Sequence, residues 1–116
     1  MKFLKQISIF ALMTMIGGSS NAAQQWCQGT MQNLWVSGGG NVYVRPSYRA
    51  DYTRMCNLNA DSGSVSAMTC VAWLSILKTA VQRQSLVIVY YSEAPSCGAL
   101  PTYDSAPFPY YVMQAD

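Results

Sequence analysis

Four cysteines, Cys27, Cys56, Cys70 and Cys97, all follow what reads as a secretory leader, and this arrangement limits the fold more than any other feature. Lys2 and Lys5 form a positive start, residues 7–16 an apolar run, and Gly17-Gly18-Ser19-Ser20-Asn21-Ala22 a small-residue cleavage region. The leader is expected over residues 1–22, with residues 23–116 as a single mature domain. A short exported chain with an even number of cysteines is most simply a disulfide-bonded domain. Its expected location is the periplasm or the exterior of the cell.

A mature chain of about this size buries a core that gives only marginal stability by itself, so cross-links matter. No second apolar run approaches the ~20 residues of a membrane span. Gln25-Trp26 stand before Cys27 where a lipoprotein would need small residues. Loss of Lys2 and Lys5 leaves Arg45, Arg49, Arg54, Lys78 and Arg83 against Asp51, Asp61, Glu93, Asp104 and Asp116. The side chains then balance, and the chain lacks the basic footprint of a nucleic-acid binder. Its three tryptophans and eight tyrosines suit a surface that buries itself or stacks on something neutral.

Residues 30–36 and 41–45 read as two strands around Ser37-Gly38-Gly39-Gly40, since glycine supplies the positive φ of a tight hairpin. A third strand is expected over residues 52–58, followed by the polar connector Asn59-Ala60-Asp61-Ser62-Gly63-Ser64. Residues 65–82 form the single helix, capped by Ser64 or Ser66. Ala67, Cys70, Val71, Leu74, Leu77 and Val81 make its core stripe. Trp73, Ile76 and Ala80 lie beside that stripe and widen the apolar arc to roughly 200°. That width suits either a helix sunk deeply into a small core or one that also meets a neighbouring subunit through Trp73, Ile76 and Ala80. Residues 85–91 are the strongest strand, β-branched and aromatic throughout. A proline-punctuated loop follows, and residues 110–114 close the fold.

The order β-β-β-α-β-β matches a β-rich α+β fold of the OB type, a five-stranded Greek-key barrel with its helix between strands three and four. Four cysteines allow three pairings, and sequence alone does not choose among them. The barrel topology favours Cys56–Cys70, pinning the helix, and Cys27–Cys97, joining a position just before the first strand to the last loop.

Tyr52-Thr53-Arg54-Met55-Cys56, Ser66-Ala67-Met68-Thr69-Cys70, the Trp73-containing helix and Val87-Ile88-Val89-Tyr90-Tyr91 together form a distinctive block. The block resembles B subunits of the subtilase-cytotoxin and pertussis-like (typhoid toxin) class of bacterial AB5 toxins, over about residues 50–92. The resemblance implies an OB-fold, a pentamer with helices around a central channel, sialylated-glycan binding and a catalytic A subunit as partner. This chain is shorter and its second cysteine pair is placed differently. Residues 28–37 offer no counterpart to the family's sugar-contacting serine and tyrosines, so no binding residue is transferred.

Catalysis is not expected. The sequence has no histidine, which removes Ser–His and Cys–His nucleophile pairs. No Cys-x-x-Cys pair points to zinc, no cofactor is implied, and the acids sit in polar loops rather than facing one another as a glycosidase requires. Binding is better supported. Tyr48, Arg49, Tyr52 and Arg54 gather aromatic faces and guanidinium donors around one loop, and an arginine fork can pair with a sugar carboxylate. The same tyrosines could instead pack under the loop. Tyr103, Asp104, Phe108, Tyr110 and Tyr111 form a second cluster, preorganised by prolines, which could equally close the barrel.

The expected function is that of a non-catalytic, homo-oligomeric binder of cell-surface oligosaccharide, with Tyr48, Arg49, Tyr52, Arg54, Tyr103 and Tyr110 as contact residues. The alternative is a small periplasmic inhibitor or immunity protein whose aromatic patch plugs a partner enzyme or toxin.

Overall fold

A computed structural model describes residues 22–115. The leader expected over residues 1–22 lies, apart from Ala22, outside the described residues. The order is β1 (Ala23–Gly29), β2 (Met31–Val36), β3 (Asn41–Pro46), β4 (Thr53–Asn57), α1 (Ala67–Arg83), β5 (Val87–Ala94), a 3-10 turn (Cys97–Ala99) and β6 (Tyr111–Gln114). These strands form two antiparallel sheets, β1-β5-β6 and β2-β3-β4.

The fold is thus a small β-rich α+β domain with one helix and two disulfides. It corrects the expected five-stranded barrel. Six strands are present, and among the described residues no ring of strand pairing closes. The additional strand is β1, which aligns Trp26 with Tyr90, Cys27 with Val89 and Gln28 with Ile88. β5 presents a long β-branched edge, and residues 23–29 satisfy its backbone groups on one side while β6 does so on the other.

Only Thr30 separates β1 from β2, so one stretch of chain serves both sheets. Ser47 clasps this elbow: its N–H donates to the Thr30 carbonyl (2.8 Å) and its Oγ accepts from the Thr30 N–H (3.1 Å). Gly29 permits the approach, because a Cβ there would lie 2.9 Å from the Tyr48 ring and also meet Ser47 Oγ. A register shift between Met31 and Asn33 adds a bulge. Side chains alternate along a strand, so residues 26 and 35, an odd number apart, would face opposite sides of a regular one. The bulge resets that alternation and leaves both Trp26 and Trp35 on outer faces.

The β2–β3 turn forms as expected. Gly40 holds φ +91°, its N–H donates to the Ser37 carbonyl, and Ser37 Oγ accepts the Asn41 N–H. The helix begins at Ser66, whose Oγ accepts the Thr69 N–H at 3.1 Å, while Asp61 accepts the Ala67 N–H at 3.2 Å. Two of the four orphan N–H groups are satisfied in this way. Gln84 ends the helix in the left-handed region (φ 52°), its side chain donating to the carbonyls of Val81 and Met31.

α1 packs on β2 and β4 of one sheet and on β6 of the other. Cys70, Trp73, Leu77 and Ala80 enter a core with Met31, Val42, Val44, Met55, Val87, Val89, Tyr91, Leu100 and Val112. Each fully buried side chain of this size contributes about 1.5–3 kcal/mol relative to exposure. Of the residues expected at a subunit interface, Trp73 and Ala80 lie in this core and Ile76 packs against it. Met68 and Val71 are the large apolar helix residues left exposed.

Cys27 joins Cys97 with Cα atoms 5.5 Å apart, and Cys56 joins Cys70 at 5.6 Å. Cys27 lies inside β1, not before the first strand as the sequence suggested. Both bridges fit an oxidising, extracellular setting. No described helix is long and apolar enough to cross a membrane.

Candidate functional site

Aromatic residues on the outer face of the β2-β3-β4 sheet make the most developed surface feature. Cross-strand pairing of Trp35 with Tyr43 brings their rings to 4.4 Å, stacked at 20°. Trp35 also meets Tyr52 edge-on at 6.2 Å. Tyr103, from the β5–β6 connection, completes a closed circuit of four rings, 5.7 Å from Tyr43 and 5.9 Å from Tyr52. Trp35 is 41% exposed and Tyr103 43%, whereas Tyr43 is buried beneath them. The circuit is shallow: no enclosed pocket exists among the described residues.

Backbone bonds place Tyr103. Its N–H donates to the Tyr52 carbonyl (2.8 Å), and its carbonyl accepts the Arg54 N–H (3.3 Å), so the connection docks as a short bridge on Thr53. Tyr103 adopts φ 50°, a conformation that L residues hold only when the surroundings enforce it.

Polar groups rim the rings. Tyr43 Oη donates to Asp104 Oδ1 at 2.6 Å, and Arg54 Nη1 lies 3.8 Å from the same oxygen. Arg54 Nη2 donates to the Asp104 carbonyl at 3.0 Å, and its guanidinium stands 4.5 Å from the Phe108 ring centroid. Arg54 Nε is buried without a hydrogen-bond partner. The hydrogen bond to Asp104 raises the Tyr43 hydroxyl above its ordinary range, with burial and the carboxylate charge adding to it. The neutral phenol is therefore the form that holds Asp104. Further along the face, Arg45 Nε donates to Asn33 Oδ1 at 3.2 Å.

The six expected contact residues do not stay together. Tyr52 and Tyr103 meet in the ring circuit, with Arg54 at its rim. Tyr48 turns inward, packs against the core, and burial pushes its hydroxyl far up. Arg49 donates from Nε to the Leu100 carbonyl at 2.8 Å, fastening one loop to another. Tyr110 joins a separate ladder on the other sheet, where Trp26 meets Tyr90 at a tilt of 35° and 4.9 Å, Tyr90 stacks on Tyr111 at 5.0 Å, and Tyr110 stands edge-on to Tyr90 at 6.0 Å. Trp26 is 56% exposed there and Tyr110 65%.

Sequence reasoning missed Trp35 and Tyr43. Both sit in strands whose period-2 pattern reads as hairpin, and the bulge that turns Trp35 outward has no residue signal. The pairing of Asp104 with Tyr43, 61 positions away, is likewise a product of topology.

No group of three or more metal-ligating side chains occurs among the described residues. No protein-family model matches the chain, and no curated protein or solved structure matches it either.

Proposed function

We propose that this chain is an exported, non-catalytic, homo-oligomeric glycan-binding protein with an OB-type fold, similar to an AB5 toxin B subunit. The observation that carries the binding assignment is the four-ring circuit of Trp35, Tyr43, Tyr52 and Tyr103, rimmed by Arg54 and Asp104. Aromatic rings offer stacking faces to the C–H side of a pyranose, and hydrogen-bonding groups beside them fix its orientation.

Topology supports the OB reading. β1 and β2, joined through Thr30, act as one bent strand shared by both sheets, which reduces six strands to the five of that fold. OB-folds bind oligonucleotides and oligosaccharides on the face of strands two and three with the adjoining loops. On that reading β3, β4 and the β5–β6 connection correspond to those positions. The balanced charge of the mature chain favours a saccharide over a nucleic acid.

Self-association is supported by the apolar Met68 and Val71, one turn apart on the outside of α1. Residues 23–36 also run along the edges of both sheets without one charged side chain or proline, and these are the usual devices that blunt an edge.

Glycan-array binding of the oxidised mature protein tests the assignment. Trp35→Ala and Tyr52→Ala should each lower affinity at least tenfold with the thermal midpoint preserved, while Arg49→Ala should not. Unchanged binding in Trp35→Ala and Tyr52→Ala, with the fold intact, eliminates this face.

A second reading is an inhibitor or immunity protein that contacts a partner protein. The uncharged ladder of Trp26, Tyr90, Tyr110 and Tyr111 favours it, since exposed aromatic clusters are typical contact anchors. Native mass separates the two readings: a pentamer supports the toxin-B-like one, a monomer or dimer the inhibitor.

A further inference from the structure

Asp104 sits where the rings of the candidate face converge, and its surroundings define which sugars can approach. Its side chain is 64% exposed, yet it is not free to swing. Oδ1 is anchored by the Tyr43 hydroxyl at 2.6 Å and has Arg54 Nη1 at 3.8 Å. Oδ2 makes no hydrogen bond among the described residues. A carboxylate held by one oxygen leaves the other, with its two lone pairs, open to adjacent sugar hydroxyls, and charge makes those bonds stronger than neutral ones.

Arg54 does not offer a matching fork for an anion. Its guanidinium donates to the Asp104 backbone, faces Phe108, pairs with the Asp104 carboxylate and is only 20% exposed. The positive charge is thus spent within the protein, and the group that reaches solvent beside Tyr103 is negative. A second carboxylate brought to the rings would meet that charge unscreened by a free cation on the near side.

We propose that the face is selective for uncharged pyranosides, with Asp104 accepting a vicinal hydroxyl pair while Trp35 and Tyr103 provide the stacking surface, and that it disfavours sialylated ones. The proposal rests on the glycan-binding reading above and specifies its ligand class. Arg45 is the cation that opposes it: it lies two residues along β3 from Tyr43, with Nε engaged by Asn33 but no carboxylate partner among the described residues. A sialic acid, if bound, would need Arg45.

The experiment compares matched oligosaccharides, one with a terminal neutral hexose and one with that hexose sialylated, against the wild-type protein, Asp104→Asn and Arg45→Ala. Asparagine retains an oxygen for the Tyr43 hydroxyl, and the exposed position keeps the fold, checked by thermal midpoint. The expected result is binding of the neutral ligand, a loss of about tenfold in Asp104→Asn, and little change in Arg45→Ala. Preference for the sialylated ligand, abolished by Arg45→Ala and unchanged or improved by Asp104→Asn, overturns the proposal while leaving the glycan reading in place. Absence of binding to either ligand, and to a wider glycan array, overturns both.

Discussion

Removing Cys27–Cys97 should destabilise the domain more than removing Cys56–Cys70, although the second bridge lies deeper in the core. The first spans 70 positions and the second 14. In the chain-entropy account the cross-link restricts the unfolded ensemble, by about 4.4 kcal/mol at 25 °C for the long loop and about 3.0 kcal/mol for the short one. A small domain has roughly 5–15 kcal/mol in total, so loss of the long bridge removes a large part of it. The double variants Cys27→Ala/Cys97→Ala and Cys56→Ala/Cys70→Ala avoid free thiols. Urea unfolding followed by tryptophan fluorescence gives both midpoints and slopes. The expected order is wild type, then the variant lacking the short bridge, then the one lacking the long bridge, with about 1.4 kcal/mol between the last two. A reversed order at equal slopes would refute the entropic reasoning and assign the stabilisation to native packing around the fully buried Cys56 and Cys70. The long bridge also anchors the start of the segment carrying Tyr103 and Asp104, so ligand affinity should fall in that variant alone.

Two further perturbations test the frame. Burial raises the hydroxyls of Tyr48 and Tyr91 well above 10, so both stay protonated in the fold after the unfolded chain has ionised. Their contribution is complete below pH ~10 and is lost as pH climbs towards the folded values, at up to about 1.4 kcal/mol per pH unit for each group. Urea unfolding between pH 8 and 11 should show that decline. Constant stability, together with all tyrosines titrating near pH 10 in the folded protein, contradicts it. Gly40→Ala places a Cβ 2.7 Å from Asn59 Nδ2 at φ +91° and should cost about 1–3 kcal/mol, read as a lower thermal midpoint. An unchanged midpoint would show that the turn relaxes freely.

Local chemistry made much of this fold legible. Ser66 carries the helix start, the run Ser37-Gly38-Gly39-Gly40 carries the turn, and the β-branched run after Ser85 carries β5. Both disulfides follow from the topology to which those elements point, even though the closed barrel does not appear. What escaped depends on distant partners. Ala23-Gln24-Gln25-Trp26-Cys27-Gln28-Gly29 lacks strand-forming composition and becomes β1 because β5 has an open edge. At the site, Tyr52 and Arg54 carry a local signal, being close in sequence and rich in donors. Tyr48 carries the same signal but faces inward. Trp35 enters through a bulge, and Asp104 through a loop that docks from the other end of the chain.

The bulge between Met31 and Asn33 therefore acts as a parity switch in the gene's reading of two faces. Inserting or deleting a single codon near the Thr30 elbow would exchange inside for outside in every position of β2, sending Trp35 into the core and Leu34 into solvent. Exposed loops outside the strands carry no such parity constraint. At the elbow, drift must proceed in even steps, so relatives of this chain should differ in loop length long before they differ in the spacing from Trp26 to Trp35.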